Sequence, residues 1–222
     1  MNLALFDLDG TLLAIDSDHA FGEFMLRLGW ADGDAFRRAN DEFYAQYLAE
    51  QLDVAAYIRF ATSAWRDRSA QELDAVRRRF ADEVIRPAIH DNARALLRRH
   101  AEAGDRLAIV TATNEFVTRP IARLFGVDTL IATELQRDAA GRVTGELLGV
   151  PSYREGKVTR VQQWLAQQGL RCEDIGRSTF YSDSTNDLAL LERVSHPVAT
   201  NPAPPLRRIA AERGWPILEL FA

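Results

Sequence analysis

After residue 87, short apolar segments alternate along the chain with segments whose apolar residues recur at helical spacing. The apolar segments at 107–110, 179–181 and 196–200 are predicted strands, and helices are predicted between them. A further apolar segment begins at Leu3 and contains no polar residue before Asp7, which indicates a strand buried on both faces. Strands that alternate with helices favour a parallel, doubly wound sheet, so the predicted fold class is α/β.

Between the first predicted strand and this alternating region lies a segment with a purely helical pattern, residues 15–87. Four amphipathic helices are predicted there, the last opened by the capping box at Ser69 and ended by Pro87. The predicted organisation is an α/β core of residues 1–14 and 88–222 with an inserted all-helical cap of residues 15–87. An insertion after a strand's carboxyl end lies where α/β sheets bind ligands, so the cap is predicted to cover the site.

One part of the alternating region is predicted to pair antiparallel. Segments 129–136 and 142–148 have an extended pattern, and a turn at Gly141 joins them, which predicts a β-hairpin flap. Asn114 is the predicted cap of the helix that follows the strand at 107–110. Pro120 is predicted to kink that helix or to delay its start.

Composition excludes several classes of protein. Apolar residues make up 47% and charged residues 27% of the 222 residues, as in ordinary globular proteins, which excludes disorder and collagen. The apolar runs are too short to span a membrane, and a net charge of −5 argues against nucleic acid as a partner while allowing a small anionic ligand. With Cys172 as the one cysteine and no signal-peptide pattern, we expect a cytoplasmic protein. The sequence leaves monomer and homodimer open.

Carboxylates follow two of the predicted strands. Asp7 and Asp9 come directly after the first strand, and Gly10 permits the tight turn that lets them converge. Asp183 ends a later strand, and Asp187 lies about one helical turn further on. Four carboxylates at neighbouring strand ends repel one another unless a cation binds, and oxygen groups are the ligands that Mg²⁺ prefers. The sequence therefore predicts a Mg²⁺ site.

Groups suited to a phosphate lie elsewhere along the chain. Thr111 ends a strand and precedes a helix start, where a hydroxyl and backbone N–H groups suit an oxyanion. Lys157 is the single lysine among 27 basic residues, which supports a specific need for a compact ammonium group. With a phosphate held there, Asp7 is predicted to attack phosphorus as a nucleophile. Asp9 is predicted to protonate the leaving alcohol and then to activate water.

Taken together, these motifs resemble those of the haloacid dehalogenase superfamily, in its phosphoserine phosphatase-like branch with a helical cap. Within that branch the pattern is similar to a histidinol-phosphatase-like group. The four matching motifs occur in the family's order: Phe6-Asp7-Leu8-Asp9-Gly10-Thr11, Val110-Thr111-Ala112, Lys157, and Ser182-Asp183 through Asp187. The resemblance covers essentially the whole chain.

The resemblance implies a role for each matching position. Asp7 is the expected nucleophile. The implied Mg²⁺ ligands are the Asp7 carboxylate, the Asp9 backbone carbonyl and the Asp183 carboxylate. The implied phosphate-binding groups are Thr111, the Ala112 backbone N–H and Lys157. Asp187 is expected to orient Lys157 or a water.

Two residues of the insertion are candidate substrate contacts. Asp16 occupies the place of an acidic residue that faces the substrate amine in phosphoserine phosphatases, and it alternatively caps a helix. His19 lies near the same place. The expected activity is Mg²⁺-dependent hydrolysis of a small, amine-bearing phosphate of the histidinol phosphate or phosphoserine type. The alternatives are a phosphotransferase or phosphomutase with the same phosphoaspartate intermediate, and a non-catalytic phosphometabolite-binding protein.

Overall fold

A six-stranded parallel sheet forms the centre of the protein in the computed structural model, which describes residues 1–221 except for the side chain of Cys172. The eight strands are β1 (Asn2–Phe6), β2 (Arg106–Asn114), β3 (Thr129–Thr133), β4 (Leu135–Arg137), β5 (Val143–Leu147), β6 (Arg177–Ser182), β7 (His196–Thr200) and β8 (Ile217–Leu218). The large sheet has the order β3-β2-β1-β6-β7-β8, while β4 and β5 form a separate antiparallel pair. The predicted α/β fold class, with a hairpin beside a parallel sheet, is confirmed.

Helices cover both faces of the sheet. The ten α-helices are α1 (Ser17–Arg27), α2 (Gly33–Leu48), α3 (Val54–Ser63), α4 (Ala70–Phe80), α5 (Arg86–Ala88), α6 (Asp91–Glu102), α7 (Glu115–Leu124), α8 (Glu155–Gln167), α9 (Leu188–Leu191) and α10 (Pro204–Arg213). Successive side chains of a strand point to opposite faces. Phe6 of β1 accordingly packs with α6 and α7 in one core, and Leu5 packs with α8, α9 and α10 in the other. Among residues 1–221, no helix is both long and apolar enough to cross a membrane.

Strand β1 lies at the point where the order of the sheet reverses. Its last residue, Phe6, pairs with Ile109 of β2 on one side and with Tyr181 of β6 on the other. The carboxyl ends of these three parallel strands therefore meet at one edge of the sheet. In open α/β sheets this edge, at the reversal of strand order, is where ligands bind.

The segment between β1 and β2 is helical, as predicted, and shares a core with the sheet. Phe21 of α1 makes an edge-to-face contact with Phe116 of α7, with ring centroids 6.1 Å apart. Trp65, just after α3, stacks on the Phe116 ring, and the centroids of the two rings lie 3.9 Å apart. Part of the insertion is thus anchored to the sheet layer by aromatic packing. Its treatment as a separate cap domain of residues 15–87 stays a prediction.

Of two local predictions about proline, the delayed helix start at Pro120 is wrong. The predicted end of the helical run at Pro87 agrees with the structure to within one residue, because a π-helical turn (Ala81–Ile85) leads from α4 into α5, which ends at Ala88. Pro120 does not delay α7, which begins directly after Asn114 and contains Pro120. Asn114 caps this helix as predicted, and its side chain accepts a hydrogen bond from the Val117 N–H at 3.3 Å.

The limits of the predicted hairpin are also wrong. Segment 129–136 is not one strand, because Thr129–Thr133 joins the large sheet and pairs parallel with β2. Only Leu135–Arg137 pairs antiparallel with Val143–Leu147. An extended pattern does not specify its partner strand, and here the chain changes partner at Glu134. Strand β8, with two residues, had no recognisable pattern in the sequence.

The aromatic contact between the insertion and α7 leads to a stability prediction. Trp65 is 1% exposed and stacks on Phe116. We expect Trp65→Ala to lower the free energy of unfolding by about 3–5 kcal/mol, because it removes buried aromatic surface and leaves a cavity. Leu48→Ala, at a residue 63% exposed, is the matched control and should change it by less than about 0.5 kcal/mol. Equal effects of the two substitutions in denaturant unfolding would contradict this prediction.

Candidate active site

A buried lysine joins two of the predicted carboxylates. The Lys157 ammonium lies 2.7 Å from Asp7 Oδ1 and 2.7 Å from Asp187 Oδ1. Burial alone would lower the pKa of Lys157, but the charges of Asp187 and Asp7 raise it above its usual value. Ser182 donates a further hydrogen bond to Asp187 at 2.7 Å. Lys157 is therefore a fixed positive charge beside the Asp7 carboxylate.

The other oxygen of Asp7 faces Asp183 across a shared threonine. The Thr11 hydroxyl lies 3.2 Å from Asp7 Oδ2 and 3.1 Å from Asp183 Oδ1. Gly10 permits this approach in two ways. Its φ of +75° suits glycine, and an added Cβ would lie 2.4 Å from Asp183 Oδ2. The turn after β1 therefore holds two carboxylates from different strands side by side.

This pair of carboxylates fits a divalent metal. Burial, followed by the charges of Asp7 and Asp187, raises the pKa of Asp183 well above its usual value. Burial is also the main reason that the pKa of Asp7 is raised, although Lys157 opposes it. Two buried carboxylates with one nearby lysine leave negative charge that a Mg²⁺ ion would offset, and oxygen groups are its preferred ligands.

Asp9 occupies a different environment from Asp7. Its Oδ1 accepts a hydrogen bond from the Ser17 N–H at 2.8 Å, and its Oδ2 accepts one from the Thr113 hydroxyl at 2.9 Å. Burial, together with the charge of Asp16, raises the pKa of Asp9 to about 7. A carboxyl group with a pKa near neutrality can both donate and accept a proton, which suits general acid–base chemistry.

Thr111 and Ala112 lie near the carboxyl end of β2, which continues to Asn114 and does not end at Thr111 as predicted. The Thr111 side chain is 1% exposed, and its hydroxyl accepts a hydrogen bond from the Thr113 N–H at 3.2 Å. Both residues border the same pocket as Asp7 and Asp9. The structure thus brings four of the predicted site residues to one cavity, which are Asp7, Asp9, Thr111 and Ala112. Lys157 is hydrogen-bonded to Asp7.

Helices of the insertion form the other walls of this pocket. They contribute carboxylates and aromatic rings, and the full set of insertion residues that line it is Asp16, Asp18, His19, Asn40, Phe43, Tyr44, Tyr47, Leu52, Val54, Tyr57 and Ile58. Among the lining residues of the described chain, none is a lysine or an arginine. The pocket therefore combines negative charge with aromatic surface.

The two candidate substrate contacts, Asp16 and His19, have different hydrogen-bond partners within the protein. Asp16 lines the pocket and also caps α1, because its Oδ1 accepts hydrogen bonds from the N–H groups of Asp18 at 3.0 Å and His19 at 2.8 Å. Both predicted roles of Asp16 are thus compatible with its position. The His19 ring lines the pocket too, but its Nε2 lies 2.8 Å from Asp41 Oδ1, a carboxylate on α2.

The carboxyl-terminal end of α2 contacts the loop that carries Asp183 and Asp187. Thr185 of this loop donates a hydrogen bond to Glu50 Oε1 at 2.5 Å, and Asn186 donates one to the Tyr47 carbonyl at 3.1 Å. Arg154, one residue before α8, donates to the Glu50 carbonyl at 3.1 Å. Glu50 therefore links the insertion to both segments that position the Lys157–Asp187 pair.

Comparison with known protein families identifies the family of this chain. The model of the haloacid dehalogenase-like hydrolase family matches residues 4–192. This chain belongs to the haloacid dehalogenase-like hydrolase family. The matched range includes every one of the predicted core motifs, from Asp7 to Asp187.

Relatives within this hydrolase family include named phosphatases. The chain is 42% identical over 217 residues to a histidinol-phosphatase of Neisseria meningitidis, with 98% of each chain covered. It is 34% identical over 217 residues to the phosphoserine phosphatase SerB1 of Mycobacterium tuberculosis, covering 96% of this chain and 69% of that protein.

Solved structures of the family share the fold. A Bordetella pertussis protein of unknown function matches with a TM-score of 0.93 and 48% identity, covering 99% of both chains. A substrate-bound phosphoserine phosphatase matches with a TM-score of 0.68 and 16% identity, covering 98% of this chain and 92% of that one. At 16% identity the second likeness concerns the fold alone.

Several residues of this hydrolase site were not singled out from the sequence. Thr113 holds Asp9, and Thr11 bridges Asp7 and Asp183, although Thr11 is part of the first motif. Asp18 lines the pocket beside Asp16, and the acidic spacing of these two residues was the only available signal. Glu50 had no signal, since its contact partner Thr185 is far away in sequence.

The Glu50 contacts lead to a prediction about local stability in this hydrolase. We expect Glu50→Ala to speed hydrogen exchange of the amides at 183–187 by roughly tenfold, because a charge-assisted hydrogen bond to their loop is lost. Glu42→Ala, at an exposed position of α2, the helix that precedes Glu50, is the control. Exchange measured by mass spectrometry without substrate tests this, and unchanged exchange in Glu50→Ala would refute the proposed link.

Proposed function

We propose that this hydrolase is a Mg²⁺-dependent phosphomonoesterase that acts through a phosphoaspartate on Asp7. The observation that carries the proposal is the placement of Asp7, which lies between Lys157 and Asp183 and faces the pocket that also contains Asp9. A nucleophile beside a fixed cation and an acid–base group with a pKa of about 7 are the two components that such a reaction needs. The family and the phosphatases among its relatives place the chain in the phosphatase class of enzymes.

The groups proposed to bind the substrate phosphate come from β2 and from the first turn of α8. In this mechanism Lys157, the Thr111 hydroxyl and the Ala112 backbone N–H bind the phosphoryl oxygens. Asp7, the carbonyl of Asp9 and Asp183 would hold Mg²⁺, which would supply positive charge against the phosphate. Asp187 positions the Lys157 ammonium through their 2.7 Å contact.

Asp7 and Asp9 have different roles in the proposed reaction, Asp7 as the nucleophile and Asp9 as the general acid and base. Asp7 attacks phosphorus, its oxygen forms the new P–O bond, and the bond to the alcohol breaks. Asp9 gives its proton to the departing alkoxide. In the second half-reaction Asp9 takes a proton from a water that attacks the phosphoaspartate, which releases inorganic phosphate and restores Asp7. The hydrogen bonds from Ser17 and Thr113 keep the Asp9 carboxyl aimed at the pocket.

The proposed substrate is a small phosphate ester that carries an amine. The pocket offers Asp16 and Asp18 and several tyrosines to the leaving group, which favours a cation with an apolar body. A substrate carboxylate, as in phosphoserine, would meet no arginine or lysine among the described lining residues. Histidinol phosphate therefore fits this pocket better than phosphoserine, in keeping with the name of the Neisseria relative. Closure by the insertion also limits substrate size and excludes water.

The roles of Asp7 and Asp9 can be separated by leaving group. We expect Asp7→Asn to abolish turnover of every phosphate ester, and Asp9→Asn to lower kcat/KM for an alkyl phosphate by about 10²–10⁴-fold. Asp9→Asn should affect p-nitrophenyl phosphate less, because nitrophenolate leaves without a proton. Phosphate release is the measurement, and Asp34→Asn, at an exposed residue, is the control.

Two outcomes would count against this assignment. Full activity of Asp7→Asn would exclude the phosphoaspartate, which acid quench and mass spectrometry should otherwise detect on the peptide that contains Asp7. Ester binding without phosphate release by the wild type would favour a phosphometabolite-binding protein, and phosphoryl transfer to an added alcohol would favour a phosphotransferase.

Metal binding should depend on pH through the raised carboxyl pKa values. A carboxyl with a higher pKa in the folded than in the unfolded chain destabilises the fold as the pH rises above its unfolded value, about 3.9 for Asp. For Asp9, whose pKa is raised to about 7, this loss of stability extends up to about pH 7. The metal-free protein should therefore lose stability across this range, and Mg²⁺ should offset the part that comes from Asp7 and Asp183, its proposed carboxylate ligands.

Thermal unfolding with Mg²⁺ or with a chelator tests this linkage. At Mg²⁺ concentrations about 100 times Kd, we expect Tm to rise by about 5–10 °C at pH 8 and by much less at pH 5. Asp183→Asn should remove the Mg²⁺-dependent shift. An equal shift at both pH values, or none in the wild type, would contradict the carboxylate site.

A further inference from the structure

The pocket continues beyond Asp16 to a second carboxylate. Asp18 lies in the first turn of α1 and borders both the main pocket and a smaller cavity behind it. The smaller cavity is lined mainly by rings and amides, which come from Phe21, Phe36, Asn40, Tyr57, Trp65 and Asn114. The smaller cavity has room for about one water molecule, so a substrate group would reach Asp18 from the main pocket.

The Asp18 carboxylate is less well satisfied than its neighbour Asp16. Asp16 accepts two backbone hydrogen bonds at 3.0 and 2.8 Å, while both Asp16 and Asp18 lie at the N-terminus of α1, which favours negative charge. Asp18 has a long contact of 3.4 Å from the Asn114 amide, and the Tyr57 hydroxyl lies beside it. Within the described chain, no lysine, arginine or histidine forms an ion pair with Asp18.

Such a carboxylate is costly to retain. Burial, reinforced by the charges of Asp16 and Asp9, raises the pKa of Asp18 well above its usual value. An asparagine would fill the same volume without that charge. The cost is offset if a cation from outside the chain enters the pocket and pairs with the carboxylate, as buried charges in proteins require.

We propose that Asp18 is a specificity-determining residue that binds a second basic group of the substrate, flanked by Tyr57 and Asn114. The substrate is then a phosphate ester of an alcohol with two nitrogen bases, one near Asp16 and one at Asp18. A flat aromatic base such as an imidazole suits this position, because the Tyr57 ring lines the main pocket together with Asp18. This inference rests on the proposed phosphatase function and names the substrate class.

Three esters separate the two carboxylates. Histidinol phosphate carries an amine and an imidazole, phosphoethanolamine carries an amine alone, and p-nitrophenyl phosphate carries no base. We expect Asp18→Asn to lower kcat/KM for histidinol phosphate by about 10–100-fold, mainly through KM, and to change the other two by less than about twofold. Asp16→Asn should lower kcat/KM for both amine-bearing esters. Asp34→Asn is the exposed control.

Stability distinguishes recognition from a structural role. Because Asp18→Asn removes a partly buried carboxyl that has no cationic partner, its Tm should equal or exceed that of the wild type. Tyr57→Phe keeps the ring and serves as the second variant, with a selective loss for histidinol phosphate expected again. Equal losses for all three esters, or unchanged kinetics for histidinol phosphate in both variants, would overturn the proposal.

A binding experiment separates this inference from the phosphatase proposal. Calorimetry with histidinol, the alcohol without phosphate, needs no turnover. We expect wild-type protein to bind histidinol at least about tenfold more tightly than Asp18→Asn does, and both to bind ethanolamine equally. If no ester is hydrolysed but this difference is found, the phosphatase proposal fails and the Asp18 site stands. If esters are hydrolysed but the difference is absent, the Asp18 site fails alone.

Discussion

A lysine held between two buried carboxylates is the interaction on which the rest of the site depends. Lys157 is 1% exposed, and its ammonium lies 2.7 Å from both Asp7 and Asp187. Removal of Lys157 would leave two buried carboxylates without their cation, which is strongly destabilising. The attraction of Lys157 to both carboxylates therefore holds β1, α8 and the loop after β6 in one arrangement. It also fixes the rotamer of Asp7, whose second oxygen is left to face Thr11 and Asp183.

The helical insertion contributes to this site at two levels. Its aromatic side chains share a core with α7, as the stacking of Trp65 on Phe116 shows. Its polar groups complete the pocket, since the Ser17 N–H holds Asp9 from the insertion while Thr113 holds it from β2. The carboxyl with the pKa of about 7 is thus positioned jointly by both parts of the chain. Any displacement of the insertion would change the environment of Asp9 as well as the access to it.

Much of the fold and of the inner site could be predicted because both follow local rules. Buried parallel strands are continuous apolar runs, and polar residues directly after them must lie at one edge of the sheet. That reasoning placed Asp7 and Asp183 directly after neighbouring strands, whereas Thr111 lies near the carboxyl end of β2, which continues to Asn114. The pairing partner of each strand was harder to predict. Thr129–Thr133 and Leu135–Arg137 have the same extended pattern and differ only in the strands with which they pair. The π-helical turn at Ala81–Ile85, which joins α4 to α5, has no recognisable pattern in the sequence.

The sequence by itself determined the alternation of strands and helices, the residue types at the strand ends and their order along the chain. These depend on periodicity and on turn chemistry within a few residues, which the chain carries locally. Only the tertiary structure decided which carboxylate meets Lys157, that Thr11 and Thr113 hold Asp183 and Asp9, and that Asp18 borders the pocket beside Tyr57. Those contacts join segments that are far apart in sequence. Their pKa values follow from burial and neighbouring charges, which exist only after the helices have packed over the sheet.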